Sequence, residues 1–225
     1  MRITIPVLIL VLALVPVSTL GQKQQARQPQ KPPTPPEAYI RANIMADTIA
    51  NSLRKNPSIR GNAGYSIPEF KLVVTDEQVV NAYADPRTNT VRLPVRIVEF
   101  YGSDKGELAY VIAHEIGHLQ DRDCLARGTQ QGLRNRALQR MCEESADFIA
   151  IQYMMAAGYS PFDAAAAMGR LMMLTSDHTS VLGIVVRRFT SNHPVDLDRI
   201  ARMRDDAHQV CIDRPEICAQ FKPVN

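Results

Sequence analysis

The segment His114-Glu115-Ile116-Gly117-His118 combines two histidines and a glutamate at a spacing suited to metal chemistry. On an α-helix, residues four positions apart lie on one face, about 6 Å apart along the axis. Two imidazoles so placed can converge on one tetrahedral Zn²⁺, and Glu115 beside them can accept a proton from a water molecule on the metal. The pattern predicts His114 and His118 as zinc ligands and Glu115 as general base. A chance match in an unrelated helix is the alternative for so short a pattern.

A hydrolytic zinc site needs a third protein ligand and an open position for water. Glu143 and Glu144, on the next predicted helix, are the two candidates. Asp147 lies one helical turn after Glu143, where it can hydrogen-bond a ligand imidazole and fix its orientation. A solvated acidic face is the alternative, but Ala146 and other apolar residues around these acids favour a buried boundary. The residues alone leave the choice between the two glutamates open.

The elements that must position these residues are two long helices. Asp104 and Glu107 fit a capping box at the start of the first helix, which carries the motif. Its apolar stripe comprises Leu108, Val111, Ile112, Ile116 and Leu119. The second helix is predicted from about Leu133 to Ala157, and Gly158 fits its end. The capped, periodic helix around the motif counts against a chance match.

The remaining periodic segments predict a mainly helical α+β fold with a few strands. Further helices are predicted over 37–55, from Pro161 through Leu174, and from Pro194 to about His208. Strands are predicted over 70–75, 79–84 and 90–93, and Pro94 either ends the third strand or places it at a sheet edge. Residues 175–191 give no clear pattern.

The first residues resemble an export signal. Residues 3–20 are almost wholly apolar after Arg2, and small residues allow cleavage after Gly21. The sequence therefore predicts a signal peptide over 1–21, a Pro/Gln-rich linker over 22–36 and one domain over 37–225. We expect a periplasmic or extracellular protein, with an uncleaved membrane anchor as the alternative. No cysteine follows the apolar run, so no lipid anchor is expected.

Four cysteines behind an export signal suggest two disulfides. Pairing of sequence neighbours, Cys124 with Cys142 and Cys211 with Cys218, is the weakly preferred connectivity, and free buried thiols are the alternative. The formal charge of +3 and the absence of a basic stripe give no case for a nucleic-acid partner.

Several ordered motifs together resemble one family of zinc metallopeptidases, which includes the CAAX prenyl endopeptidases, the HtpX heat-shock proteases and the BepA-type periplasmic proteases. They extend from about Phe70 to Met203, most of the expected mature chain. The motifs are Asn81-Ala82-Tyr83, the HEIGH segment, Glu143-x-x-Ala146-Asp147, Ala157-Gly158-Tyr159-Ser160-Pro161, and His193-Pro194 with Arg199.

The resemblance implies a zincin-like fold with a small sheet beside the active-site helix, one Zn²⁺ per chain, and Glu143 as third ligand. It implies that Asn81, Ala82 and Tyr83 form a strand at the rim of the cleft, where an extended substrate could pair. For those side chains, a turn or core role is an equal alternative. His193 is expected near the metal, either binding a developing oxyanion or occupying the open zinc position. Arg199 would stabilise negative charge or pair with an acid.

The predicted activity is hydrolysis of peptide bonds in proteins of the cell envelope, with protein quality control as a role suggested by the family and the export signal. Protein or peptide substrates are the expected partners, close to a membrane. The alternatives are a latent or non-proteolytic chaperone on a metallopeptidase scaffold, with His193 closing the zinc site, and a zinc hydrolase that is not a peptidase.

Overall fold

A three-stranded sheet forms one side of the domain. The computed structural model of the protein describes residues 36–55, 67–121, 124, 136–176 and 195–221. The strands are β1 (Lys71–Thr75), β2 (Tyr83–Asp85) and β3 (Thr90–Pro94), in the order β1-β3-β2. β1 runs parallel to β3 with Lys71 opposite Thr90, and β2 runs antiparallel to it with Tyr83 opposite Arg92.

The central position of β3 decides between the two alternatives for Pro94. Pro94 is the last residue of this strand and lies opposite Thr75 of β1, so it does not mark a sheet edge. A proline at the end of a strand ends the ladder without leaving a gap inside it. The alternative that Pro94 ends the strand is the one observed.

The predicted strand over 79–84 is shorter than expected. Pairing begins only at Tyr83, while Val80, Asn81 and Ala82 precede the strand and are buried. Val80 and Ala82 belong to the hydrophobic core beside β2. A short apolar run does not by itself distinguish core packing from strand pairing. Asn81 and Ala82 are therefore core-facing residues that lead into the edge strand.

Seven helices complete the described part of the chain. They are α1 (Pro36–Lys55), α2 (Val95–Tyr101), α3 (Lys105–Gln120), α4 (Arg136–Ala156), α5 (Asp163–Ser176), α6 (Leu197–Asp213) and α7 (Pro215–Cys218). The sequence did not predict α2, which follows β3 directly and buries Val95, Ile97, Val98 and Tyr101. None of the described helices is long and apolar enough to cross a membrane.

Helix α3 lies at the centre of the domain. Every residue from Leu108 to Leu119 is buried, which is typical of a helix surrounded by protein on all sides. Asp104 caps it, accepting hydrogen bonds from the backbone N–H groups of Gly106 at 2.9 Å and Glu107 at 3.0 Å. Only half of the expected capping box forms: the backbone N–H of Asp104 donates to the carbonyl oxygen of Tyr101, and the carboxylate of Glu107 accepts a hydrogen bond from Arg170 on α5. The sheet, α1, α4 and α5 pack around α3.

The ends of the later helices agree only in part with the sequence pattern. Gly158 follows α4 with a positive φ of 84°, a conformation that glycine adopts without strain and that commonly ends helices. Helix α6 continues to Asp213, beyond the predicted end near His208, since Val210 still packs in the core. The predicted mainly helical α+β fold with a small sheet beside the motif helix is confirmed. Residues 1–35, which contain the predicted signal peptide and nearly all of the linker, lie outside the described residues.

Candidate metal centre

The two motif histidines lie on one face of α3, where it crosses α4. His114 is 3% exposed and His118 is 4% exposed, and their ring centroids are 4.6 Å apart. Gly117 allows the crossing to be close: a Cβ there would lie 2.9 Å from the carbonyl oxygen of Ala146 and 3.0 Å from its Cα. This contact between backbones places the first half of α4 against the histidines.

Glu143 on α4 completes a cluster of three potential ligands. Its Oε2 lies 3.4 Å from Nε2 of His114, and its Oε1 lies 3.5 Å from Nε2 of His118. Potential ligand atoms of the three residues all lie within 4.8 Å of one another. Zinc bonds of about 2.0–2.1 Å at tetrahedral angles would separate neighbouring ligand atoms by about 3.3 Å. The observed separations therefore fit a zinc ion held by two nitrogens and one carboxylate.

The neighbouring acid, Glu144, is directed elsewhere. It forms ion pairs with Arg202 on α6 and, at 4.0 Å, with Arg140 on its own helix. Its side chain is 27% exposed, against 6% for Glu143. Of the two glutamates left open by the residues, the structure brings Glu143 to the histidines.

Asp147 contacts the Nδ1 edge of the His114 ring, opposite the nitrogen that faces Glu143. Its Oδ1 lies 2.9 Å from Nδ1 of His114, on the opposite edge from the nitrogen that faces Glu143. A carboxylate at Nδ1 favours the proton there and leaves Nε2 as the ligand atom. The structure thus gives Asp147 the orienting position expected from its spacing.

Arg199 on α6 balances the buried carboxylates. Its guanidinium donates two hydrogen bonds to Asp147, Nε to Oδ2 at 2.7 Å and Nη2 to Oδ1 at 2.8 Å, and its Nη1 lies 3.1 Å from Oε2 of Glu143. Burial alone would raise the pKa of Asp147, but the Arg199 charge and hydrogen bonds outweigh it, and the pKa falls well below its usual value. Asp147 is therefore ionised in the folded protein. Of the two roles expected for Arg199, pairing with an acid is observed.

Tyr110 is a member of the site that the sequence reasoning missed. Its hydroxyl donates a 2.7 Å hydrogen bond to Oδ1 of Asp147. Burial and the neighbouring Asp147 charge hold the pKa of this phenol well above its usual value, so it keeps its proton. The available signal was its position four residues before His114, which places it on the same helix face.

The carboxylates also change the electrostatics of the His114 ring. Burial lowers the pKa of His114, but hydrogen bonds to Asp147 and Glu143 raise it by more, so the net pKa lies above its usual value. An environment that stabilises positive charge on a buried imidazole also stabilises a cation beside it. Glu115, the expected general base, is 1% exposed on the same helix.

The remaining predicted site residues lie on other elements or outside the described residues. Asn81 and Ala82 are buried, and Tyr83 is half-buried at the start of the edge strand β2. His193 lies outside the described residues, so its role stays a prediction. Disulfides join Cys124 to Cys142 and Cys211 to Cys218, the two pairings that the sequence favoured.

The model of peptidase family M48 matches residues 56–137 and 128–207, which together make up more than half of the chain and include the whole cluster. No curated protein matches the sequence.

Proposed function

The chain belongs to peptidase family M48, the family of the CAAX prenyl endopeptidases, HtpX and BepA-type zinc metallopeptidases, and from this premise we propose that it is a zinc-dependent endopeptidase. The family implies metallopeptidase activity. We propose specifically that the metal is zinc, that its ligands are His114, His118 and Glu143, and that the enzyme cleaves internal peptide bonds of proteins.

One observation carries this proposal: His114, His118 and Glu143 converge in a buried cluster on two crossing helices, and the buried Glu115 directly follows the first histidine in the chain. Two histidines and a glutamate are a known ligand set of catalytic zinc, which leaves one coordination position for substrate or water. Asp147 contacts His114, and Tyr110 and Arg199 bind Asp147 in turn, while Arg199 also pairs with Glu143. Such support around the ligands is typical of a metal site.

The chain's own residues supply proton transfer and orientation. Bound zinc would supply Lewis acidity, which lowers the pKa of a water molecule toward about 7 and polarises the scissile carbonyl. Glu115 accepts the proton of the attacking water and then donates it to the leaving amine. Asp147 keeps His114 in the tautomer that presents Nε2, while Arg199 keeps Asp147 ionised.

Replacement of the general base tests the mechanism. We expect Glu115→Gln to abolish cleavage of casein or another unfolded protein while the protein still binds one zinc ion, because no ligand atom is lost. Glu144→Gln is the matched control, since this neighbouring acid pairs with arginines outside the cluster, and it should cleave normally. Cleavage at the wild-type rate by Glu115→Gln would refute the mechanism.

Replacement of the third ligand tests the metal assignment. Glu143→Ala should lose most bound zinc, measured by elemental analysis of the purified protein, and Glu144→Ala should retain it. Loss of zinc only in the Glu144 variant would show that the ligand assignment is wrong.

We also infer that the protein acts outside the cytoplasm on envelope proteins, in their quality control. The apolar N-terminal segment supports export, and two disulfides support an oxidising compartment. Cell fractionation combined with mass spectrometry of the mature N-terminus tests this. Recovery in the cytoplasm with Met1 intact would refute export.

A further inference from the structure

The Cys124–Cys142 disulfide joins the helix of Glu143 to the segment that follows the helix of His114 and His118. Cys142 is the residue immediately before Glu143 on α4, and Cys124 follows the end of α3, the helix that carries His114 and His118. The Cα atoms of the two cysteines are 5.5 Å apart, and both residues are buried. This covalent bond therefore links the backbone beside one ligand to the segment that follows the helix of the other two.

The position of α4 along α3 decides where Glu143 lies. Gly117 and Ala146 meet almost backbone to backbone at the crossing. Hydrogen bonds from Tyr110 to Asp147 and from Tyr153 to Gln120 also join the two helices. The fit of Glu143 between two imidazole nitrogens, 3.4 and 3.5 Å away, depends on that position.

Two polar contacts lie near the disulfide and fix the same relative position. Ser145 on α4 donates a 3.0 Å hydrogen bond to Oδ2 of Asp121, the residue after α3. The other carboxylate oxygen of Asp121 accepts a 3.2 Å hydrogen bond from the backbone N–H of Cys124. Two hydrogen bonds and one disulfide thus connect the end of α3, Cys124 and the first turns of α4, and the disulfide is the covalent link among them.

The second disulfide provides an internal comparison. Cys211–Cys218 spans seven residues between the end of α6 and α7. Its Cys218 sulfur lies 3.7 Å from the sulfur of Met155, which is near the far end of α4. Met155 is about 18 Å along that helix from Glu143, given a rise of 1.5 Å per residue. This bond does not connect the ligand-bearing helices.

We propose that the Cys124–Cys142 disulfide is a positioning clamp for Glu143, so that the affinity of the site for zinc depends on the oxidation state of this cysteine pair. The inference rests on the zinc site proposed above. A disulfide that only restricts the unfolded chain stabilises the fold without changing the affinity of the folded protein for a metal. A clamp changes that affinity, because without it Glu143 samples positions outside the tolerance of the metal.

The test compares Cys124→Ser/Cys142→Ser with the matched control Cys211→Ser/Cys218→Ser and with wild type. Zinc affinity of the full-length folded proteins is measured by competition with a chromophoric chelator. We expect the first variant to bind zinc at least about tenfold more weakly, as is usual when support around metal ligands is removed, and the control to bind like wild type. The serine variants contain no thiol at these positions that could itself bind zinc.

A second measurement does not depend on refolding of the Cys124/Cys142 variant. In the Cys211→Ser/Cys218→Ser background, a trialkylphosphine can reduce only the remaining disulfide. The S–S bond breaks, two thiols form, and the phosphine is oxidised as it takes the oxygen of one water molecule. After reduction the thiols are alkylated so that they cannot bind zinc, and circular dichroism verifies that the protein is still folded. Zinc titrations before and after this treatment should show the same loss of affinity.

The outcomes separate the two proposals. If wild type binds zinc, and the Cys124/Cys142 variant and the reduced protein bind it with the same affinity, the clamp is refuted and the zinc site stands. Absence of zinc binding by wild type would refute the zinc site and the clamp together.

Discussion

Gly117→Ala tests whether close contact between α3 and α4 builds the metal centre. Ordinary van der Waals contacts of a Cβ begin at 3.4 Å, whereas a Cβ at Gly117 would lie 2.9 and 3.0 Å from backbone atoms of Ala146. Backbone cannot rotate away as a side chain can, so α4 must recede by about 0.4 Å or more. That displacement is roughly twice the tolerance of about 0.2 Å for metal–ligand distances. Glu143, one turn away on the same helix, moves with it.

Two opposing effects set the stability of this variant. Overpacking costs about 1–3 kcal/mol, and replacing a helical glycine by alanine contributes about 1 kcal/mol in the other direction. We expect a net loss of up to about 2 kcal/mol in the free energy of unfolding of the zinc-free protein, measured with urea. Zinc affinity, measured by chelator competition, should fall about tenfold or more.

Gly169→Ala is the matched control. Gly169 lies inside α5, and apart from its chain neighbours and the backbone of its own helix no heavy atom lies within 4 Å of a Cβ built there. This variant should gain roughly 0.5–1 kcal/mol from helix propensity and bind zinc like wild type. If Gly117→Ala showed the same gain and an unchanged zinc affinity, the close helix contact would have no part in forming the site.

Three further predictions concern the buried charges and the metal. Arg199→Leu should destabilise the protein by about 3–5 kcal/mol in urea unfolding, because it leaves two buried carboxylates uncompensated. The control Arg202→Leu should cost less than about 1 kcal/mol, because the ion pair of Arg202 with Glu144 is partly exposed. Equal losses of stability in the two variants would contradict this account. Burial and the charges of Asp104 and Glu107 raise the pKa of Asp163 to about 6. The folded protein therefore binds the proton of this carboxyl group more tightly than the unfolded chain does. As a result, the protein loses stability as the pH rises through about 6. Asp163→Asn should therefore stabilise by roughly 1 kcal/mol at pH 7.5, after discount for the half-exposed carboxylate, and change little at pH 4; a melting temperature that rises equally at both pH values would contradict the assignment. Removal of zinc by a chelator should lower the melting temperature of wild type but not that of Glu143→Ala, and an equal shift in both would indicate that the metal binds elsewhere.

Local sequence signals predicted the elements that present the site. Asp104 caps α3 and Gly158 follows α4 because capping and positive φ depend on few neighbouring residues. The i, i+4 spacing of His114 and His118 is likewise a property of a single helix. Such features can be predicted from a short window of sequence.

The features that the residues alone could not predict depend on how elements meet. Glu143 and Glu144 differ by about 100° in direction around α4, and the rotation of that helix against α3 determines which one reaches the histidines. The sequence did not predict α2, because a proline such as Pro94 marks the end of a strand whether a loop or a helix follows. In the structure, Pro94 both ends β3 and immediately precedes the first turn of α2. The order of the strands requires long-range pairing of β1 with β3, which no local pattern specifies.

The position of Arg199 has a consequence for the order in which the site assembles. Arg199 is 52 residues beyond Asp147 in the chain. A chain that leaves a ribosome or a translocation pore with its N-terminus first therefore presents both histidines and both carboxylates before the cation that compensates them. Until α6 docks, repulsion between Asp147 and Glu143 opposes closure of the cluster, so a chain truncated before Leu197 should bind zinc more weakly in equilibrium dialysis. We therefore expect the centre to bind zinc fully only after α6, which carries Arg199, has joined the domain.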